Sequence, residues 1–79
     1  MTTVTVLLNS IDKVKSFVDT ISVYDCEFDL VSGRYIIDAK SILGILSLEL
    51  SKPVNLTIYT DKEAELTRIL TSIQDFLVS

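Results

Sequence analysis

Apolar and polar residues alternate along the chain with two different periods, and the switches between them divide it into seven elements. Val4 and Val6 alternate with Thr3 and Thr5, and Leu8 continues the valine face. β-branched residues at period two predict a strand over residues 2–8. Ile11, Val14, Phe17, Val18 and Ile21 then recur at helical spacing, predicting a helix from about Ser10 to Val23 with these five on its inner face. Asn9 and Ser10 are suited to start it, and Asp12 places an acid in its first turn, where the helix dipole favours one.

Tyr24-Asp25 breaks the pattern. Cys26, Phe28 and Leu30 alternate with Glu27 and Asp29, a half-buried strand. Val31-Ser32-Gly33-Arg34 reads as a turn, and Tyr35–Asp38 as the strand returning from it. The next stretch, Lys40 to Leu50, carries six large aliphatic side chains: Ile42, Leu43, Ile45, Leu46, Leu48 and Leu50. Ser41 is placed to cap a helix running to about Leu50, which Ser51-Lys52-Pro53 then breaks. One helical face cannot hold all six, so part of the run is expected on the surface, or against a partner. Val54, Leu56 and Ile58 alternate with polar positions in a fourth strand. A last helix is expected over about Lys62–Leu77, capped by Thr60 or Asp61, with Ala64, Leu66, Ile69, Leu70, Ile73, Phe76 and Leu77 inward.

Each strand has one apolar face and each helix one apolar stripe. The economical packing is α+β, an open-faced β-sandwich of order βαββαβα: a four-stranded antiparallel sheet with three helices on one face. The 79 residues are expected to form a single domain, 1–79.

Charge and composition narrow the function. A net charge of −4 with singly scattered basic residues argues against nucleic acid and anionic lipid. No run approaches the about 20 apolar residues of a membrane span, and residues 1–8 carry no signal-peptide features. The expected setting is therefore the cytoplasm. Cys26 is the one cysteine, which excludes an internal disulfide, and alternation places it inward. There is no histidine, so a zinc site would lack its usual ligands. The acidic residues are dispersed, without a catalytic pair, and Gly33 and Gly44 do not form a phosphate-binding loop. No metal and no cofactor are expected, and no enzymatic activity.

The stretch Lys40-Ser41-Ile42-Leu43-Gly44-Ile45-Leu46-Ser47-Leu48 resembles the second-helix motif of the histidine-containing phosphocarrier protein HPr, Lys-Ser-Ile-Met-Gly-Val-Met-Ser-Leu. The two differ only by exchanges among Leu, Ile, Val and Met. Tyr24-Asp25-Cys26 likewise resembles the family's Tyr-Asp-Ala at the same separation. Extended back without a gap, the resemblance lays the family's Gly-Ile-His-Ala-Arg-Pro loop on Leu8-Asn9-Ser10-Ile11-Asp12-Lys13. Ser10 then occupies the position of the phosphoryl-accepting histidine, and Asp12 that of the arginine.

The resemblance implies the same open-faced fold, with Ser41 at a regulatory phosphorylation position and with Ile42, Leu43 and Leu46 in a contact patch for protein partners. It does not bring the phosphocarrier chemistry. Phosphohistidine is a high-energy phosphoramidate; a serine ester is not a comparable donor, and Ser10 has no basic neighbour in sequence to activate it. An acid at position 12 opposes a phosphate there by several kcal/mol at an effective dielectric of about 20. The expected function is an HPr-like regulatory or protein-binding module, its partners being phosphotransferase-system proteins or a serine kinase. The alternatives are a phosphocarrier with a non-histidine acceptor and a homodimerising structural module. The expected state is a monomer or weak homodimer.

Overall fold

The computed structural model describes residues 1–78. Its elements are β1 (Thr2–Val6), α1 (Ile11–Ile21), β2 (Glu27–Ser32), β3 (Tyr35–Asp38), α2 (Ile42–Leu46), β4 (Val54–Tyr59) and α3 (Glu63–Ser72), followed by a short 3₁₀ turn over Gln74–Phe76. The strands form one antiparallel sheet in the order β1-β4-β2-β3. This is the α+β arrangement that the periodicity predicts.

Register follows from the apolar pattern. Val4 pairs with Leu56, Leu56 with Leu30, and Leu30 with Ile37, a row of aliphatic side chains across all four strands on the helix side. The opposite face carries a polar row, Thr3–Thr57–Asp29–Asp38. A slip of one residue would exchange the two faces, so the burial of one of them fixes the pairing. From the helices, Val14, Phe17, Val18, Ile21, Ile45, Ile69 and Ile73 complete the core. Phe17 meets the ring of Phe76 edge to face, centroids 5.5 Å apart.

Each helix is shorter than its apolar pattern suggests. α1 stops at Ile21: the Ser22 backbone N–H and hydroxyl both donate to the Val18 carbonyl, and Val23 is exposed. Ile11, expected inward, is 59% exposed; it is the first residue after the cap, and the buried face of α1 begins at Val14. α2 ends at Leu46, not near Leu50. The Ser47 hydroxyl donates to the Gly44 carbonyl at 2.6 Å and its N–H turns to the carbonyls of Gly44 and Ile45, closing the last turn. Leu48 and Leu50 nevertheless pack against the core from irregular chain.

α3 begins one residue after Lys62, which makes no side-chain cap. Neither Thr60 nor Asp61 is the capping residue; Thr60 instead accepts the Lys62 N–H at 3.3 Å and donates to Glu65 at 2.7 Å. Ala64 is exposed, contrary to its expected inward place. The helix ends at Ser72 because the chain beyond it pairs with β1: the Leu7 N–H donates to the Phe76 carbonyl, the Val78 N–H to the Thr5 carbonyl, both at 2.9 Å, and Leu77 bridges Val6. Cys26 lies just before β2, half-buried against the core. No helix among the described residues is long and apolar enough to cross a membrane.

Candidate functional site

The two serines singled out in the sequence are both helix N-caps. Ser10 has extended backbone, and its hydroxyl oxygen accepts the Lys13 N–H at 3.1 Å, so Ser10, not Asn9, starts α1. Ser41 repeats the arrangement at α2, accepting the Gly44 N–H at 3.2 Å. Each satisfies one of the backbone donors that a helix start leaves free. Ser10 is exposed and Ser41 half-buried, while Asp12 lies exposed in the first turn of α1. α1 and α2 pack against one another, so the two caps belong to neighbouring helices.

α2 divides its apolar residues by face. Ile45 is fully buried and Ile42 is half-buried against the core. Leu43 is 83% exposed and Leu46 39% exposed. Of the three residues expected in a contact patch, Leu43 and Leu46 therefore present their side chains outward, and Ile42 serves mainly the protein's own packing. Gly44 stands where bulk is unwelcome: a β-carbon there would lie 3.2 Å from the Ser41 hydroxyl oxygen.

Lys40, which opens the motif, acts in a way its sequence does not announce. Its ammonium donates to the Tyr24 carbonyl at 2.6 Å and lies 5.5 Å from the centre of the Phe28 ring. The two stretches that carry the resemblance, 24–26 and 40–48, thus meet in space through this bond. The Asp38 carboxylate accepts the Lys40 N–H at 2.9 Å, and the Asp38 carbonyl accepts that of Ser41 at 3.0 Å, so the turn into α2 is held from both sides.

Beside α2 runs a groove of about 550 Å³ between the β2–β3 turn and residues 47–49, with Arg34, Tyr35, Ile37, Leu48 and Glu49 in its walls. Sequence reading gave no sign of it, because the two segments that make it carry no shared motif. The Ser51 hydroxyl and N–H both donate to Glu49 and hold its carboxyl below the usual carboxylate range. Burial, and then the nearby Glu65 carboxylate, push the Cys26 thiol up. Among the described residues no group of three or more histidine, cysteine or acidic side chains is gathered as for a metal ion.

An antiparallel sheet in the order β1-β4-β2-β3, covered by three helices, with a serine-capped second helix that turns leucines outward, defines an HPr-type open-faced sandwich. The chain belongs to the HPr family of the phosphotransferase system: the family described as PTS HPr component phosphorylation site matches residues 13–78. That match begins after Ser10 and Asp12. The crystal structure of HPr-C-His from Thermoanaerobacter tengcongensis is similar with a TM-score of 0.74 and 27% sequence identity, over 95% of this chain and 92% of that one. No curated protein sequence matches the chain.

Proposed function

We propose that this HPr-family chain is a regulatory or protein-binding module rather than a carrier of phosphate through histidine, and not an enzyme. The observation that carries this is the absence of any imidazole from the chain. The residue at the family's histidine position by resemblance, Ser10, uses its oxygen to cap α1, and Asp12 sets a negative charge in the same first turn. A helix start of this kind would attract an anion, but the acid beside it opposes one.

The outward leucines of α2 support binding. Leu43 and Leu46 offer an apolar surface of the kind that marks protein contacts. Proteins of this family interact with other proteins of the phosphotransferase system, and the proposed partner is one of these, met in the cytoplasm. Ser41 is the candidate regulatory position: a phosphate there would sit at the start of α2, beside the leucines, and would alter how a partner grips them.

The test is transfer of labelled phosphate from phosphoenolpyruvate through enzyme I to the purified chain. The expected result is no acid-labile phosphate, together with binding of a phosphotransferase-system protein that Leu43→Glu abolishes. Acid-labile label on the chain would overturn the reading.

A further inference from the structure

Two residues of opposite charge stand on facing walls of the groove beside α2 and do not meet. Arg34 belongs to the wall made by the β2–β3 turn, and Glu49 to the wall made by residues 47–49. Among the described residues Arg34 takes part in no ion pair and no side-chain hydrogen bond. Glu49 is engaged on its own side: one carboxylate oxygen accepts the Ser51 hydroxyl at 2.6 Å and the Ser51 N–H at 3.4 Å. The cation that acts on this carboxylate is Lys52, and only weakly; Arg34 does not. The Ser51 bonds thus fix where the negative charge stands and leave its second oxygen free.

The rest of the groove is apolar. Ile37 and Leu48 are half-buried against the core, and Tyr35 stands beside them, 66% exposed. Its volume of about 550 Å³ is that of a small-molecule site, not of a gap for a few waters. This combination selects by charge. A phosphate or a dicarboxylate would meet Arg34 but be repelled by Glu49, and a polyamine would meet the reverse. A purely apolar molecule would take water from both charges and give nothing back. A molecule with one charge of each sign at the ends of an apolar body meets both walls at once. A free amino acid carries both charges on one carbon. A short peptide holds them farther apart, by about 3.3–3.6 Å for each added residue, which suits walls whose own charges are too far apart to pair.

We propose that this groove binds a short apolar peptide of two or three residues with both ends free. The peptide's carboxylate pairs with Arg34, whose planar fork of donors suits it. Its ammonium donates to the free oxygen of Glu49, and its apolar side chains cover Ile37, Leu48 and the Tyr35 ring. The inference does not rest on the partner surface proposed above, since neither Leu43 nor Leu46 lines the groove. Binding is weak, because Arg34 and Glu49 are both exposed and their pairs form in contact with water.

The test is an NMR titration of the isotope-labelled full chain with the dipeptide Leu-Leu. Saturable shifts are expected on the amides of residues 32–37 and 47–49, with a Kd of about 1 mM. N-acetyl-Leu-Leu lacks the ammonium and Leu-Leu amide lacks the carboxylate; each should bind about tenfold more weakly. Arg34→Gln should weaken Leu-Leu by a similar factor and leave the already weak binding of Leu-Leu amide unchanged. Glu49→Gln should do the same for Leu-Leu and leave N-acetyl-Leu-Leu unchanged. Both side chains are exposed, so both variants should keep the fold, and Leu43→Glu should bind Leu-Leu as the wild type does. The absence of a saturable shift by about 10 mM Leu-Leu overturns the proposal. So does N-acetyl-Leu-Leu binding as well as the free dipeptide, which would mark a plain anion site, or binding indifferent to Arg34→Gln, or shifts gathered at residues 43 and 46 instead.

Discussion

The Ser41 hydroxyl oxygen and Gly44 are bound twice over: the oxygen accepts the Gly44 N–H at 3.2 Å, and it lies the same 3.2 Å from where a β-carbon on Gly44 would stand. The cap and the glycine therefore depend on one another. Ser41→Ala should cost about 1 kcal/mol, the usual worth of a capping serine. Gly44→Ala in the wild-type background should gain little or lose stability, because the new methyl crowds an oxygen already held in a hydrogen bond. In the Ser41→Ala background the crowding atom is gone, and Gly44→Ala should stabilise by about 0.5–1 kcal/mol, the ordinary preference of a helix for alanine. Urea unfolding of the four proteins checks this; additive effects would show the two positions to be independent.

Leu43 and Ile45 are two residues apart on α2 and differ as much as two aliphatics can, 83% exposed against fully buried. Leu43→Glu should change stability by less than about 0.5 kcal/mol. Ile45→Ala should cost about 2–5 kcal/mol through lost burial and the cavity left behind. Thermal unfolding separates them. A collapse on Leu43→Glu would place that side chain inside, and with it remove the proposed partner surface.

Cys26 should react slowly. Burial and then Glu65 raise its thiol pKa, with Lys40 opposing them in part. The rate of alkylation by iodoacetamide should therefore rise at a higher pH than for an ordinary thiol, and Glu65→Gln should move the profile back down. The sign for stability follows. The folded chain holds this proton more tightly than the unfolded chain, so the thiol's contribution is fully present below the unfolded-state pKa and is lost as pH rises through the folded one. A profile at or below that of a free thiol would contradict the packing around Cys26.

Much of the fold was legible because period alone distinguishes strand from helix. The strand over Val54–Tyr59 lies where alternation put it, the strand over Tyr35–Asp38 lies where the turn at Gly33 returned the chain, and Val14, Phe17, Val18 and Ile21 face inward at their helical spacing. Ser10 and Ser41 were readable as caps because a hydroxyl ahead of an apolar run has one common use. The ends of elements were less legible. Ile11 belongs to the apolar stripe of α1 by spacing, yet it stays exposed in the first turn. Leu48 and Leu50 read as helix and reach the core from irregular chain. The pattern records that a residue is apolar, not which segment arrives to bury it.

The sequence by itself determined the alternation of strands and helices, the apolar face of each, and the absence of the imidazole on which a histidine phosphocarrier depends. Those are properties of residue type and spacing, and they hold before any segment meets another. Only the tertiary structure decided that the chain's end would close the β1 edge while β3 stayed open, that Leu43 would face outward while Ile45 faced in, and that Lys40 would reach back to Tyr24. Each of these depends on the distance between segments far apart in the chain, and no local pattern encodes that distance.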